Sequence, residues 1–325
     1  MKFDLDQEQR DFAASIDAAL SAADVPSAVR AWADGDADRG RAVWAQLAEL
    51  GVTALAVPEE FEGIGAHPVD VVLAIEALGR WCVPGPVVES IAVAPVLLAG
   101  SPDAADRLAG LAAGELLATV ALPPHAPRAL DADRVDLVLH AEGGRAVTAQ
   151  AGTRHASVDP SRGVFDVTAT GESWDADVNR AYEVGALATA AQLIGAGQAM
   201  LNTAVDYAKQ RTQFGRVIGG YQAIKHKLAD VHIALELARP LVYGAALSLA
   251  DGAGNPGDTA RDVSAAKVAA SDAALLAARS ALQTHGAIGF TSECDLSLWL
   301  LRAQALRPAW GDPTAHRRRV VEAIA

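Results

Sequence analysis

The chain has 325 residues, and 27 Lys and Arg against 40 Asp and Glu give a formal net charge of −13. So acidic a balance argues against a nucleic-acid binder, because phosphate backbones need a basic surface, but it leaves room for one local basic pocket. Hydrophobic residues make up 51% and aromatic residues only 5%, so the apolar mass is mostly Ala, Leu and Val. That composition favours close-packed helices over a β-sandwich and excludes global disorder.

The N-terminus is acidic and polar where a secretory signal would be basic and then apolar. Two cysteines, Cys82 and Cys294, cannot form a disulfide framework, which points to a reducing cytosol. Residues 1–117 read as a helical domain. Phe3, Phe12, Ile16 and Leu20 fall at helical spacing, and a helix over Ala45–Leu50 ends at Gly51. Val57–Gly65 reads as a loop, Val71–Arg80 as a helix stopped at Gly79, and Ile91–Leu98 as a further helix. Ser101 and Pro102 look like an N-cap and first turn.

Residues 118–178 read as a small, truncated β domain. Gly143-Gly144 between two short apolar runs signals a hairpin, and Phe165–Thr170 alternates with period two. Residues 179–325 return to helix, in segments Ala181–Arg211, Tyr221–Gly252, Asp258–Gly286 and Leu296–Ala325, as a four-helix bundle would. Gly252–Gly257 is a loop, with Asp258 or Thr259 as the next cap. Ala186–Val205 carries no charge, but its Gln, Asn, Thr and Gly content suits a buried helix better than a membrane span. The eight histidines are scattered; His226 and His232 are six apart, which is not metal-ligand spacing. His316 with Arg317-Arg318-Arg319 reads as a solvated helix face.

One constellation stands out: Arg211-Thr212-Gln213-Phe214-Gly215-Arg216, then Tyr221-Gln222-Ala223-Ile224 and Leu228-Ala229-Asp230. An Arg fork at a helix end suits a pyrophosphate, and a neighbouring Phe can cover a flat heteroaromatic ring. The plainer alternative pairs Arg211 with a local carboxylate and puts Phe214 in the core. Residues 207–230 resemble the helix–loop–helix signature of the acyl-CoA dehydrogenase family, and Gln283–Thr291 resembles its second signature. Leu47–Gly65 and Glu76–Arg80 fit as well, so the resemblance covers nearly the whole chain except its middle.

The resemblance implies a mainly α fold: an N-terminal helical domain, a small middle β domain, and a C-terminal four-helix domain that carries homo- or hetero-oligomerisation. It implies FAD as cofactor and α,β-desaturation of an acyl-CoA thioester, with a carboxylate taking the α-proton and the β-hydrogen passing as hydride to the flavin. In this family the flavin is shared between subunits. The residues matching the neighbour's grip are Arg211, Gln213, Phe214 and Gln222, with Gln283, Gly286 and Gly289. The glycines would let backbone approach the dinucleotide. Gln213 stands where Ser or Thr is common, and Ala287 replaces a Gly.

Larger departures concern catalysis. Trp310 occupies the position of the usual catalytic Glu, and indole cannot serve as a general base. The alternative base position on the preceding helix falls on Gly185, two residues from Glu183. Val120–Pro127 has no counterpart to the family's turns that hold the isoalloxazine. The chain therefore resembles the short non-catalytic subunit of two-gene actinobacterial acyl-CoA dehydrogenases. Its implied partners are a catalytic subunit in a heterotetramer, an electron-transfer flavoprotein, and an acyl-CoA, often a steroid side-chain thioester. Two alternatives remain: a self-sufficient homomer with Glu183 or Asp312 as relocated base, and a flavin-free helical scaffold. A buried, unused Arg211 would be costly in a pure scaffold.

Overall fold

The computed structural model describes residues 5–250 and 256–325. Phe3 and the expected loop residues Gly252–Asn255 lie outside them. Helix α1 (Gln7–Ala22) opens on a reciprocal capping box between Asp6 and Gln9. It is followed by α2 (Val25–Asp34), α3 (Asp38–Glu49) and α4 (Pro68–Arg80). Gly51, at φ +77°, lets the chain leave α3 as its position in the sequence predicts.

Four local expectations need correction. Gly79 does not end α4; it lies buried within it. Its missing side chain has a packing reason, since a Cβ there would sit 2.3 Å from the Gln192 carbonyl oxygen. The segment expected as one helix from Ile91 starts earlier, as a π-helical turn over Glu89–Val93, and continues as α5 (Ala94–Leu98). Helix α6 (Ala104–Ala112) begins after Asp103, so Ser101 is not its cap. Lastly, α9 (Pro256–His285) starts ahead of Asp258 and Thr259, which sit in its first turn rather than capping it.

The sheet follows. Its strands are β1 (Ala118–Ala121), β2 (Ala129–Leu130), β3 (Leu137–Glu142), β4 (Arg145–His155), β5 (Val164–Ala169) and β6 (Trp174–Asp175). Their order is β1-β3-β4-β5-β2, with β6 on β4. Gly143 and Gly144, both at positive φ, make the expected two-residue hairpin between β3 and β4. β1 runs parallel to β3, and the Thr119 hydroxyl accepts from Leu130 N at 3.0 Å, tying β2 back to β1.

The C-terminal part holds α7 (Val178–Gln210), the short strands β7 (Thr212–Gln213) and β8 (Arg216–Val217), and α8 (Gln222–Ala250), then α9, α10 (Leu296–Leu306) and α11 (Pro313–Ile324). The segment Leu296–Ala325 is thus two helices, not one. Pro308 and a left-handed pair, Trp310 (φ +56°) and Gly311 (φ +97°), break it.

Helix α7 is the axis of the molecule. Among the described residues two helices, α7 and α8, are long and apolar enough to cross a membrane. In α7, however, 83% of the most apolar stretch is buried among other helices. Small residues allow this. A Cβ on Gly195 would lie 1.9 Å from the Glu76 carbonyl oxygen, so α4 and α7 meet backbone to backbone. The N-terminal and C-terminal helices are further joined by Arg239 of α8, which donates to buried Glu76 of α4 at 3.0 Å. All three regions meet at Arg302 of α10. It donates to Asp159 (2.6 Å) and Ser161 (2.9 Å) in the β4–β5 connection and to the Val83 carbonyl (2.9 Å) after α4.

Candidate functional site

The two signature segments come together at one end of α7. The Tyr207 ring, one turn before the helix ends, stacks on His285 at the end of α9, with centroids 4.3 Å apart. The stack ties the last turn of α7, which ends before Arg211, to the end of α9, which the 3-10 turn Gly286–Phe290 follows. Arg211 leaves the helix with extended backbone, and Ile218 N donates back to its carbonyl at 2.8 Å. Phe214 (φ +52°) and Gly215 (φ +82°) form the turn between β7 and β8.

Both structural alternatives for this segment fail. Phe214 is 93% exposed, not core. Arg211 is exposed rather than buried, and among the described residues its guanidinium has no carboxylate partner. Gln213, Gln222 and Gln283 are likewise exposed, and their side chains bond to nothing among the described residues. Gly286 is exposed at φ +68°, and nothing lies within 4 Å of where its Cβ would be. Gly289 differs: it is buried, and a Cβ there would lie 3.1 Å from His285 Cβ and 3.2 Å from Leu282. Its role is internal packing of the turn. An unpaired guanidinium, free amides, an exposed ring and an open glycine form a donor set that fits a dinucleotide arriving from outside the chain.

The region of the catalytic base has a different character. Trp310 is 2% exposed, and its indole N–H donates to Glu89 Oε1 at 3.1 Å. The ring lies directly on Gly185: a Cβ there would come within 2.4 Å of it. The two positions at which the resemblance places a base are therefore in contact, and the space between them is filled by indole. The turn carrying Trp310 is held from behind. Buried Lys267 donates to the carbonyls of Leu306 (3.3 Å), Arg307 (2.9 Å) and Gly311 (3.4 Å). Burial pushes its ammonium down to about 7. His316 Nε2 donates to the Trp310 carbonyl at 2.9 Å, and Nδ1 accepts from Ser264 at 3.1 Å. Burial lowers His316 to about 4, so the ring is neutral, and its tautomer is set by these partners.

His316 is thus no part of a solvated face, contrary to expectation. Its neighbour Arg319 turns inward to an ion pair with Glu183, and Arg317 pairs with Asp272 at 2.6 Å. Burial raises the Glu183 carboxyl and Arg319 opposes the shift. Asp312 caps α11, accepting from Thr314 N (2.6 Å) and Ala315 N (3.0 Å), and these amides hold its carboxyl below the usual range. The turn after β1 closes through reciprocal bonds between Leu122 and Ala126, and His125 stacks on Tyr182 at 4.0 Å. Glu89, Lys267 and His316 carried no signal in the sequence, because their partners lie on distant elements.

Comparison with known proteins decides the family. Residues 6–115 match the N-terminal domain of acyl-CoA dehydrogenases, and residues 175–325 match the C-terminal domain. The chain belongs to the acyl-CoA dehydrogenase family. It is 32% identical over 298 residues to acyl-CoA dehydrogenase IpdE2 of Mycobacterium tuberculosis, covering 91% of this chain and 90% of that protein. A variant of the Tcur3481-Tcur3483 steroid ACAD superposes with a TM-score of 0.87 at 22% identity, over 98% of each chain. A chain of the ChsE4-ChsE5 complex from Mycobacterium tuberculosis superposes with a TM-score of 0.84 at 22% identity, over 100% of this chain and 99% of that one. These likenesses extend the fold of this oxidoreductase family, which acts on CH–CH bonds, across the whole chain, and members of the family bind FAD.

Proposed function

We propose that this chain is the non-catalytic subunit of a heteromeric FAD-dependent acyl-CoA dehydrogenase. In this reading Arg211, Gln213, Phe214, Gln222, Gln283 and Gly286 form the half-site that grips the flavin of a catalytic partner, and Gly289 packs the turn that carries Gly286. The observation that carries it is Trp310 packed on Gly185, because this leaves no carboxylate at either base position and no space for an acyl Cα–Cβ bond between them. FAD would supply hydride acceptance when bound. This chain's residues would bind and orient it: Arg211 at the pyrophosphate, Phe214 over a ring, Gly286 offering backbone.

Other parts of the reading rest on likeness. The relatives named for steroids and for a two-protein complex support a steroid-type acyl-CoA substrate and a partner chain docked through the helical bundle in a heterotetramer. An electron-transfer flavoprotein would accept the electrons, in the cytosol. The division into 1–117, 118–178 and 179–325 belongs to the same proposal. The self-sufficient alternative is disfavoured by Glu183, spent on Arg319, and by Asp312, spent on a helix cap. Arg211 is exposed, so the cost of a buried unused Arg no longer counts against the scaffold alternative; what disfavours it is the Phe214 ring held 93% exposed beside Arg211.

The test is turnover of the complex carrying Glu183→Gln or Asp312→Asn in this chain. Both variants are expected to keep kcat within about twofold, since a lost general base costs about 10²–10⁴-fold. A fall of that size in either variant would make that residue the base and overturn the proposal.

A further inference from the structure

The half-site hairpin is a weak structure on its own. It has two residues per strand, every residue of it is exposed, and its turn forces Phe214 into the left-handed region that bulky side chains avoid. Yet the side chains it presents need a fixed geometry if they are to grip a dinucleotide. One residue outside the hairpin touches both of its strands. The Tyr221 hydroxyl donates to the Gln213 carbonyl at 3.2 Å, with the Phe214 carbonyl 3.5 Å away. On its other side the Tyr221 ring lies under the Arg216 guanidinium, 3.9 Å from the ring centroid. Tyr221 is itself anchored, because its carbonyl accepts from Ile224 N and Lys225 N in the first turn of α8.

We propose that Tyr221 is a positioning residue that preforms the flavin half-site, clamping both hairpin strands so that Arg211, Gln213 and Phe214 are in place before the cofactor arrives. The clamp also divides the work of the two arginines. Arg216 is committed to the ring, where a cation over an aromatic face is well placed, and Arg211 is left free for phosphate. The inference rests on the half-site reading above and adds to it which residue organises the site.

The test separates the two claims. Amide hydrogen exchange is followed across residues 212–217 in the chain alone, and FAD affinity is then measured in the complex with the partner. Tyr221→Leu removes the hydroxyl and the ring face while sparing the backbone anchor. It is expected to speed exchange about tenfold and to weaken FAD about tenfold, the scale of one hydrogen bond and one ring contact. Turnover should recover to within about twofold at saturating FAD, because the clamp orders the hairpin before binding and leaves the geometry of the bound state unchanged. Tyr221→Phe, which keeps the ring, should fall between. Arg211→Ala should weaken FAD with exchange unchanged.

Unaltered exchange in Tyr221→Leu would overturn the clamp. So would faster exchange with unaltered FAD affinity while Arg211→Ala still weakens binding. If neither Tyr221→Leu nor Arg211→Ala moves FAD affinity, the half-site reading itself fails and the clamp falls with it.

Discussion

Trp310 is held from three directions: Gly185 beneath its ring, Glu89 on its indole N–H, and His316 on its carbonyl. Such a side chain is a structural plug, and its energetics follow from packing. Trp310→Ala is expected to destabilise the chain by about 3–5 kcal/mol in denaturant unfolding, as large-to-small changes in tight cores do. Gly185→Ala, which drives a methyl into the indole, should cost about 1–3 kcal/mol. His316 adds a pH signature. Its pKa is about 4 in the folded chain against 6.5 for the free side chain. Between those values the unfolded chain binds more protons, so this group's contribution to stability is lost as the pH falls through that window. The loss is on the order of 3 kcal/mol. Asp131, raised to about 7 by burial, tilts the curve the other way between about 4 and 7. The difference between the wild type and His316→Gln therefore isolates the histidine: the variant should show a shallower decline towards acid. The Trp at 310 was legible in the sequence, but its plug geometry was not, because Gly185, Glu89 and His316 come from three separate elements.

At the scale of elements, periodicity and turn chemistry revealed much of the fold. The Gly143-Gly144 hairpin, the alternation in β5 and the end of α3 at Gly51 are local effects, and each appears as its residues dictate. The failures have different causes. Gly79 looks like a stop signal, yet it serves the approach of α4 to α7. Pro308 and Gly311 are breakers inside a segment read as one helix, and the apolar pattern on both sides masked them. Arg302 gave no sign of its role, because Asp159, Ser161 and Val83 lie far away in sequence. Its pair with Asp159 is buried on both sides, at 1% and 5% side-chain exposure. Arg302→Leu should therefore cost about 3–5 kcal/mol by stranding the Asp159 charge, as unfolding in urea would reveal. Asp159→Asn in the same background should restore part of that loss.

Across the whole molecule, two ends of one helix have diverged. Near its start, α7 carries Gly185 under a plug, and the neighbouring Glu183 is tied to Arg319. At its far end it delivers Arg211 to an exposed hairpin, and the Arg211 and Gln213 side chains have no partner among the described residues. The space around Gly185 is filled by the protein's own side chains, and the surface around Arg211 is left open. The Arg211 surface was legible because its residues are contiguous in two short segments. Their juxtaposition through Tyr207 and His285 was not, since stacking between helices leaves no periodic trace.

The measurement that bears most directly on this account is the flavin absorption spectrum and native mass of the chain purified alone, set against the same chain co-expressed with a catalytic acyl-CoA dehydrogenase subunit. The account predicts a colourless chain alone, a flavin-bearing hetero-oligomer with the partner, and loss of most of that flavin on Arg211→Ala. Stoichiometric FAD on the chain alone, bleached by an acyl-CoA, would contradict it.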